Sequence, residues 1–219
     1  MQLSTITENL DVYAKGFVGT LELTALGAIG SLVLGTVLAT MRVSPVPSLR
    51  AGATVYVEVL RNCPLPVLAV LLAFGLPKLG PPVQGFSFFT WAVLAIALYH
   101  AAFVCEALRS GVNSVAAGQG EAARSLGLTF GQTMSLVVLP QAFRTVVPPL
   151  GNILIALTKN SAVAATIDVT DITNQTEFVI NDTVDPLMAL AGAAFFYLLL
   201  TLPTGLLVGR LERRTAFSR

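Results

Sequence analysis

The sequence predicts an all-α integral membrane protein of five transmembrane helices, N-terminus outside and C-terminus inside, with one polar loop between the third and fourth spans. Three observations lead there. Apolar residues make up 54% of the 219 and charged ones 11%, with a mean hydropathy of +0.77, whereas soluble domains are about a quarter charged. Five apolar segments, at about 17–41, 52–77, 88–110, 145–167 and 186–209, each come near the ~20 residues that carry a helix across a ~30 Å hydrocarbon layer. The charges also sort by loop. Arg42 and Arg50 follow the first span, Arg109, Arg124 and Arg144 surround the polar loop, and Arg210, Arg213, Arg214 and Arg219 close the chain, while the segment after the fourth span holds Asp168, Asp171, Glu177, Asp182 and Asp185 with no basic residue. Arginine-rich loops face the cytoplasm, which with an odd number of spans orients both termini. No linker or low-complexity stretch divides the chain, so residues 1–219 read as one domain.

The first fifteen residues are polar, with Glu8, Asp11 and Lys15, and are expected on the membrane surface. No basic stretch, short apolar core and small-residue cleavage site precede the first span, which reads as a retained anchor. Gly27, Ser31 and Gly35 recur along it at four-residue spacing. Small residues so placed admit a close helix neighbour, within the chain or across a dimer contact.

The second span is the odd one. Counted from Ala51, Glu58 and Arg61 lie ~10 and ~15 Å in at the helical rise, just ahead of Asn62, Cys63, Pro64 and Pro66. Each proline removes an amide donor and crowds the preceding turn, so the helix should kink or unwind there. Broken helices at membrane depth are tolerated where they line a cavity or lie inside protein, and they mark transport sites. The plainer alternative is an ion pair between Glu58 and Arg61. Cys63, and Cys105 in the next span, act as small apolar residues and are expected to form no disulfide.

The third span places Tyr99 and His100 near mid-membrane, where a lone histidine reads as a satisfied packing residue. Glu106 and Arg109 at its inner end pair with each other or cap the helix that follows. The fourth span leaves the inner surface near Arg144, runs through Pro148-Pro149 and reaches Lys159 after ~22 Å, beside Thr158, Asn160 and Ser161. An ammonium at that depth needs an acid such as Glu22, a set of carbonyls, or a ligand carboxylate. The acidic segment 168–185 reads as a short surface helix, either simply solvated or a landing surface for a partner. Pro203 and Gly205 suggest a kink in the fifth span, and Arg210 to Arg214 an anchor at the lipid headgroups.

The polar loop, about 112–143, organises the rest. Glu121-Ala122-Ala123-Arg124-Ser125-Leu126-Gly127 is helix-prone but too small and too Ala-rich to bury a core of its own. Ala122, Ala123 and Leu126 fall on one face, and Gly127 is the residue most tolerant of the left-handed turn that stops the helix. It reads as a docking helix. Residues 121–136 also show the helix, Gly-containing turn and second helix of a DNA-binding motif, but the second run, Thr129 to Leu139, carries no Lys or Arg to meet phosphates. No nucleic-acid partner is expected.

Glu121-Ala122-Ala123, then Gly127, then Leu139-Pro140 resembles the EAA loop of ABC-importer permeases. The flanks extend the likeness. Glu106-Ala107-Leu108-Arg109-Ser110-Gly111 and Gly118-Gln119 precede it, Gln141, Arg144, Pro148, Asn152 and Lys159-Asn160-Ser161 follow it, and Arg61-Asn62-Cys63-Pro64-Leu65 stands where the polar amino-acid group (histidine, glutamate, glutamine, arginine, opine) has Arg-Gly-Thr-Pro-Leu or Arg-Asn-Thr-Pro-Leu. Met41-Arg42-Val43-Ser44-Pro45 and Leu157-Thr158-Lys159-Asn160 are most similar to actinobacterial glutamate-uptake permeases. The resemblance spans roughly residues 16 to 210.

It implies a permease subunit that moves a polar amino acid, glutamate first, into the cell by alternating access. The loop residues Glu121, Ala122, Ala123, Arg124, Leu126 and Gly127 would couple to a dimeric ABC ATPase, and Glu58, Arg61, Asn62, Lys159, Asn160 and Ser161 would line the substrate path. It also implies a second permease chain, identical or paralogous, an extracellular substrate-binding protein, and a bacterial cell membrane location. ATP and Mg would belong to the ATPase and no cofactor to this chain, which has no Gly-x-x-x-x-Gly-Lys-Ser/Thr phosphate loop. One His and two separated Cys give no basis for a metal site or a nucleophilic triad, so no enzymatic role is expected. Two other readings remain open at this point: an ion-coupled secondary transporter using Glu58, Lys159 and His100, and a membrane scaffold that transports nothing.

Overall fold

The structure, a computed structural model, describes residues 4–81, 83–183 and 185–215, and every regular element among them is helical. The helices are α1 (Ser4–Thr7), α2 (Leu10–Val43), α3 (Pro47–Asn62), α4 (Leu65–Val70), α5 (Phe88–Asn113), α6 (Ala117–Ser125), α7 (Phe130–Thr133), α8 (Leu139–Asn160), α9 (Ile172–Asp182) and α10 (Pro186–Thr215). Four stretches are long and apolar enough to cross a membrane: Leu10–Val43, Phe88–Asn113, Phe130–Ile167 and Pro186–Arg213. A fifth candidate is the pair Pro47–Asn62 and Leu65–Leu79, bent by 108°. The Arg214 side chain and Arg219, part of the expected basic anchor, lie outside the described residues.

Small residues let α2 and α5 meet closely. A Cβ built on Gly27 would sit 2.6 Å from Ile96, and one on Gly35 2.6 Å from Val104. The stripe that left two partners open therefore packs inside the chain. Around this seam, Leu23, Trp91, Ile96, Leu157 and Ile167 form one core cluster, and Leu38, Ala53, Val57, Ala101 and Cys105 a second. Cys63 and Cys105 are both free thiols.

The break in the second span falls where its prolines put it. Cys63 is extended, with ψ of 132°, because a residue before proline is driven from the helical region, and Pro64, the extended N-cap of α4 with ψ of 130°, starts the next helix. Pro66 then occupies the first turn of α4, where its missing donor is harmless.

Two helix boundaries differ from those read in the sequence. Residues 10 to 15 belong to α2. Tyr13 is fully buried, stacked on Phe196 at 5.1 Å with its hydroxyl donating to the Ala189 carbonyl at 2.8 Å, and burying that ring outweighs solvating its neighbours. The helical stretch that holds the fourth apolar segment begins at Phe130 instead of near 145. A π-helical turn over Met134–Val138 precedes Pro140, with the Leu139 amide bonded to the Met134 carbonyl, so the wider turn accommodates the proline and the helix continues. The helix α8 continues through Pro148-Pro149, and α10 through Pro203.

A 3-10 turn, Ser161–Ile167, leads into the acidic segment, which folds around α9. Asp171 caps α9 through the Asn174 amide at 2.7 Å and accepts from the Tyr197 hydroxyl of α10 at 3.2 Å. The Thr20 hydroxyl of α2 receives the Ile172 amide at 3.0 Å. At this end α2, α9 and α10 are thus tied by buried polar contacts, while Glu177 and Asp182 stay exposed.

Candidate functional site

Two features at different levels of the bundle carry the polar side chains singled out above. The first is α6 and its surroundings. Its C-terminus is closed by a pair of backbone bonds, Leu128 N to Ala123 O at 3.2 Å and Gly127 N to Arg124 O at 2.9 Å, with Gly127 at φ 81°. This is the left-handed closure that glycine makes cheaply. Two residues on, Thr129 and Gln132 form a reciprocal capping box that starts α7, as such pairs do.

Within α6 the expected single face is split. Ala123 is buried at 4%, but Ala122 and Leu126 point away from the chain, Leu126 at 82% exposure and Phe130 beyond it at 79%. Glu121 and Arg124 are exposed as well. The base beneath is tightly joined. A Cβ on Gly111 would fall 2.0 Å from Val146, and the Ser114 hydroxyl donates to the Gly111 carbonyl at 2.7 Å and lies 3.1 Å from the Thr145 hydroxyl. Glu106 pairs with Arg109 at 2.9 Å, as one alternative had it, and also with Arg42 of α2, which sequence reasoning missed. The cap of α6 is Ala116, not either charge.

The second feature is a cleft of about 330 Å³ lined by Tyr99, His100 and Phe103 of α5 and Asn152, Ile153, Ala156 and Asn160 of α8. Arg61, at the end of α3 just before the break, lays its guanidinium 5.6 Å from the centre of the Phe103 ring, an attraction of cation to π-face. Lys159 lies on the exposed stripe of α8 that includes Asn152 and Ala156, one helical turn on. Glu58 is exposed on α3, and among the described residues it forms no ion pair with Arg61, nor Lys159 with Glu22. Glu22 opens instead onto a groove with Lys15, Phe89 and Thr170.

Not every residue expected on the path faces the cleft. Asn62 donates its amide to the Glu58 carbonyl at 2.7 Å and so finishes α3. Ser161 is fully buried, its hydroxyl on the Thr158 carbonyl at 2.8 Å. His100 is buried with both ring nitrogens engaged, Nδ1 2.9 Å from the Ile96 carbonyl and Nε2 3.1 Å from the Asn160 amide nitrogen. That is the satisfied histidine expected. The aromatic wall of Tyr99 and Phe103 was not singled out as a site, although its spacing, four residues apart beside His100, is visible.

The family described as "Binding-protein-dependent transport system inner membrane component" matches residues 31–217. The chain belongs to that family. As a membrane component of such a system, this permease is 39% identical to a probable glutamine ABC transporter permease protein of Bacillus subtilis, over 98% of each chain. It is 43% identical to a glutamate transport system permease protein of Corynebacterium glutamicum, covering 91% of this chain and 92% of that one. A crystal structure of an amino acid ABC transporter superposes on the permease with a TM-score of 0.91 at 32% identity, over 98% of this chain and 99% of the other. An inward-facing MetNI methionine ABC transporter gives 0.77 at 18% identity over 99% and 100%, a likeness of fold alone.

Proposed function

We propose that this permease carries glutamate through the cleft between α5 and α8 and is driven from α6 by a separate ATPase. The observation that carries the reading is the pairing of two unneutralised cations, Arg61 and Lys159, with a break in the helix that holds the first of them. A cation at membrane depth is expensive without a counter-charge, and a dicarboxylic amino acid brings two carboxylates. Arg61 and Lys159 receive them, and Asn160 and Glu58 supply acceptors for the α-ammonium. Asn62 and Ser161 shape the path through backbone bonds. The 43% identical relative is named a glutamate permease, which favours that substrate over glutamine.

In this reading the bent pair is one span, so there are five, with the N-terminus outside and α6 and the C-terminus in the cytoplasm, and residues 1–219 act as one transmembrane domain. The ATP-hydrolysing component is a separate subunit. Its dimer binds ATP and Mg, closes, and pushes on the α6 helices of two permease chains, identical or paralogous. It can shift the permease only by the difference in its contact energy with α6 between the open and closed states. Leu126 and Phe130 supply that contact. An extracellular binding protein delivers the amino acid at the α9 end. A proton relay through His100 finds little support, because both ring nitrogens are held.

The test is reconstitution of the permease with its co-purifying partners in lipid vesicles. Glutamate-stimulated ATP hydrolysis and uptake, both lost in Arg61→Met, are expected. Uptake by the permease without an ATPase would overturn the reading.

A further inference from the structure

The hydrogen bonds of His100 decide which end of Asn160 the cleft sees. Nδ1 sits 2.9 Å from the Ile96 carbonyl, which can only accept, so the proton of the neutral ring is on Nδ1. Nε2 is then an acceptor, and the group 3.1 Å away must be a donor, the Nδ2 of Asn160. The opposite orientation of the amide would require a doubly protonated ring, a charge on a side chain that is 2% exposed inside a membrane span. With one Nδ2 hydrogen given to Nε2, the amide is held in a single orientation, and Oδ1 is the acceptor it can offer the cleft. Of the charged side chains of α3 and α8 nearby, Arg61 and Lys159 offer donors only, and Glu58, exposed on α3, is the second acceptor beside Asn160. The two cations can hold carboxylates but not an ammonium.

We infer that His100 is a positioning residue that fixes the Asn160 carbonyl as the acceptor for the substrate α-ammonium, so that the cleft selects amino acids over dicarboxylates that lack the amine. The inference rests on the proposal that the cleft takes glutamate. It makes His100 a determinant of specificity without substrate contact. A site built to hydrogen-bond a group discriminates strongly against the analogue that lacks it, because its own polar atom is left unpaired.

The experiment measures binding of glutamate and of glutarate, the same diacid without the amine, to the detergent-free permease–ATPase complex in nanodiscs, with no binding protein present. Wild type is expected to favour glutamate by about tenfold or more, the range for a lost hydrogen bond to charge. His100→Leu should weaken glutamate severalfold toward the level of glutarate, with Glu58 keeping the remainder of the preference, while glutarate affinity stays unchanged, which shows that the cleft is still formed. His100→Gln, which keeps an acceptor where Nε2 lies, should restore most of the preference. If the preference persists in His100→Leu while Arg61→Met weakens both ligands, the role of His100 is wrong and the cleft stands. If Arg61→Met weakens neither ligand, the cleft itself is wrong and this inference goes with it.

Discussion

Arg42 near the end of α2 meets the carboxylate of Glu106 near the end of α5, 64 residues away in sequence. Arg109 holds the other oxygen of the same carboxylate at 2.9 Å. The side chains of Arg42 and Glu106 are 17% and 22% exposed, so the contact is partly desolvated and joins two spans just where α6 begins. Under the proposed coupling, a load arriving at α6 would meet a base in which α2, α5 and α8 are already fastened.

Glu106→Gln leaves two guanidinium groups facing a neutral amide. The expected loss is about 2 kcal/mol, the scale of a charge-assisted hydrogen bond, read from denaturant unfolding in detergent. The same variant should reduce glutamate-stimulated hydrolysis more than basal hydrolysis, because the base under the lever loosens.

Gly127 at φ 81° tolerates no proline, whose ring fixes φ near −65°. Gly127→Pro should abolish uptake and detach hydrolysis from substrate while the chain still inserts in the membrane. Leu126→Asp, at an 82% exposed position, should reduce ATPase co-purification without lowering the stability of the isolated permease. Ala123→Asp is a different experiment, since Ala123 is buried and its loss unseats α6 itself.

Burial raises the Asp171 carboxyl from 3.8 to about 6, against the opposing pull of its bonds from Asn174, Tyr197 and Thr173. The folded chain thus keeps this proton where the unfolded chain has lost it. The contribution to stability is full below pH 4 and disappears as pH rises through about 6. Thermal midpoints should fall between pH 5 and pH 7, and Asp171→Asn, which preserves the cap of α9, should flatten that part of the profile.

Arg61→Met and Lys159→Met remove cations that have no acid partner among the described residues. Neither should destabilise the permease, and each should weaken glutamate-stimulated hydrolysis by about tenfold, the value of a charged hydrogen bond. A loss of stability instead would assign them to structural pairs with a neighbouring chain.

Much of this was legible in the residues. Long apolar runs fix helices because backbone groups in lipid have no other partners, and Pro64 and Gly127 mark a break and a stop by steric rules that need no tertiary context. The boundaries were less legible. Tyr13 draws the first helix out to Leu10 through a ring 183 positions away, on Phe196, and Pro140 is accommodated by a π turn that no local pattern announces. At the site, the charges at Arg61 and Lys159 stood out because charge is rare in a span. The bonds of Ser161 to Thr158 and of Asn62 to Glu58 are local turns of side chain onto backbone that polar residue type alone does not announce, and the His100–Asn160 contact depends on how α5 packs against α8.

The most direct test is a crosslink. With Cys63 and Cys105 replaced by Ser, a single Leu126→Cys in the assembled complex should join to the nucleotide-hydrolysing subunit and resist membrane-impermeant thiol reagents applied outside intact cells, whereas Glu177→Cys should do the reverse. External labelling of Leu126→Cys, or its failure to reach any nucleotide-hydrolysing partner, would contradict the account.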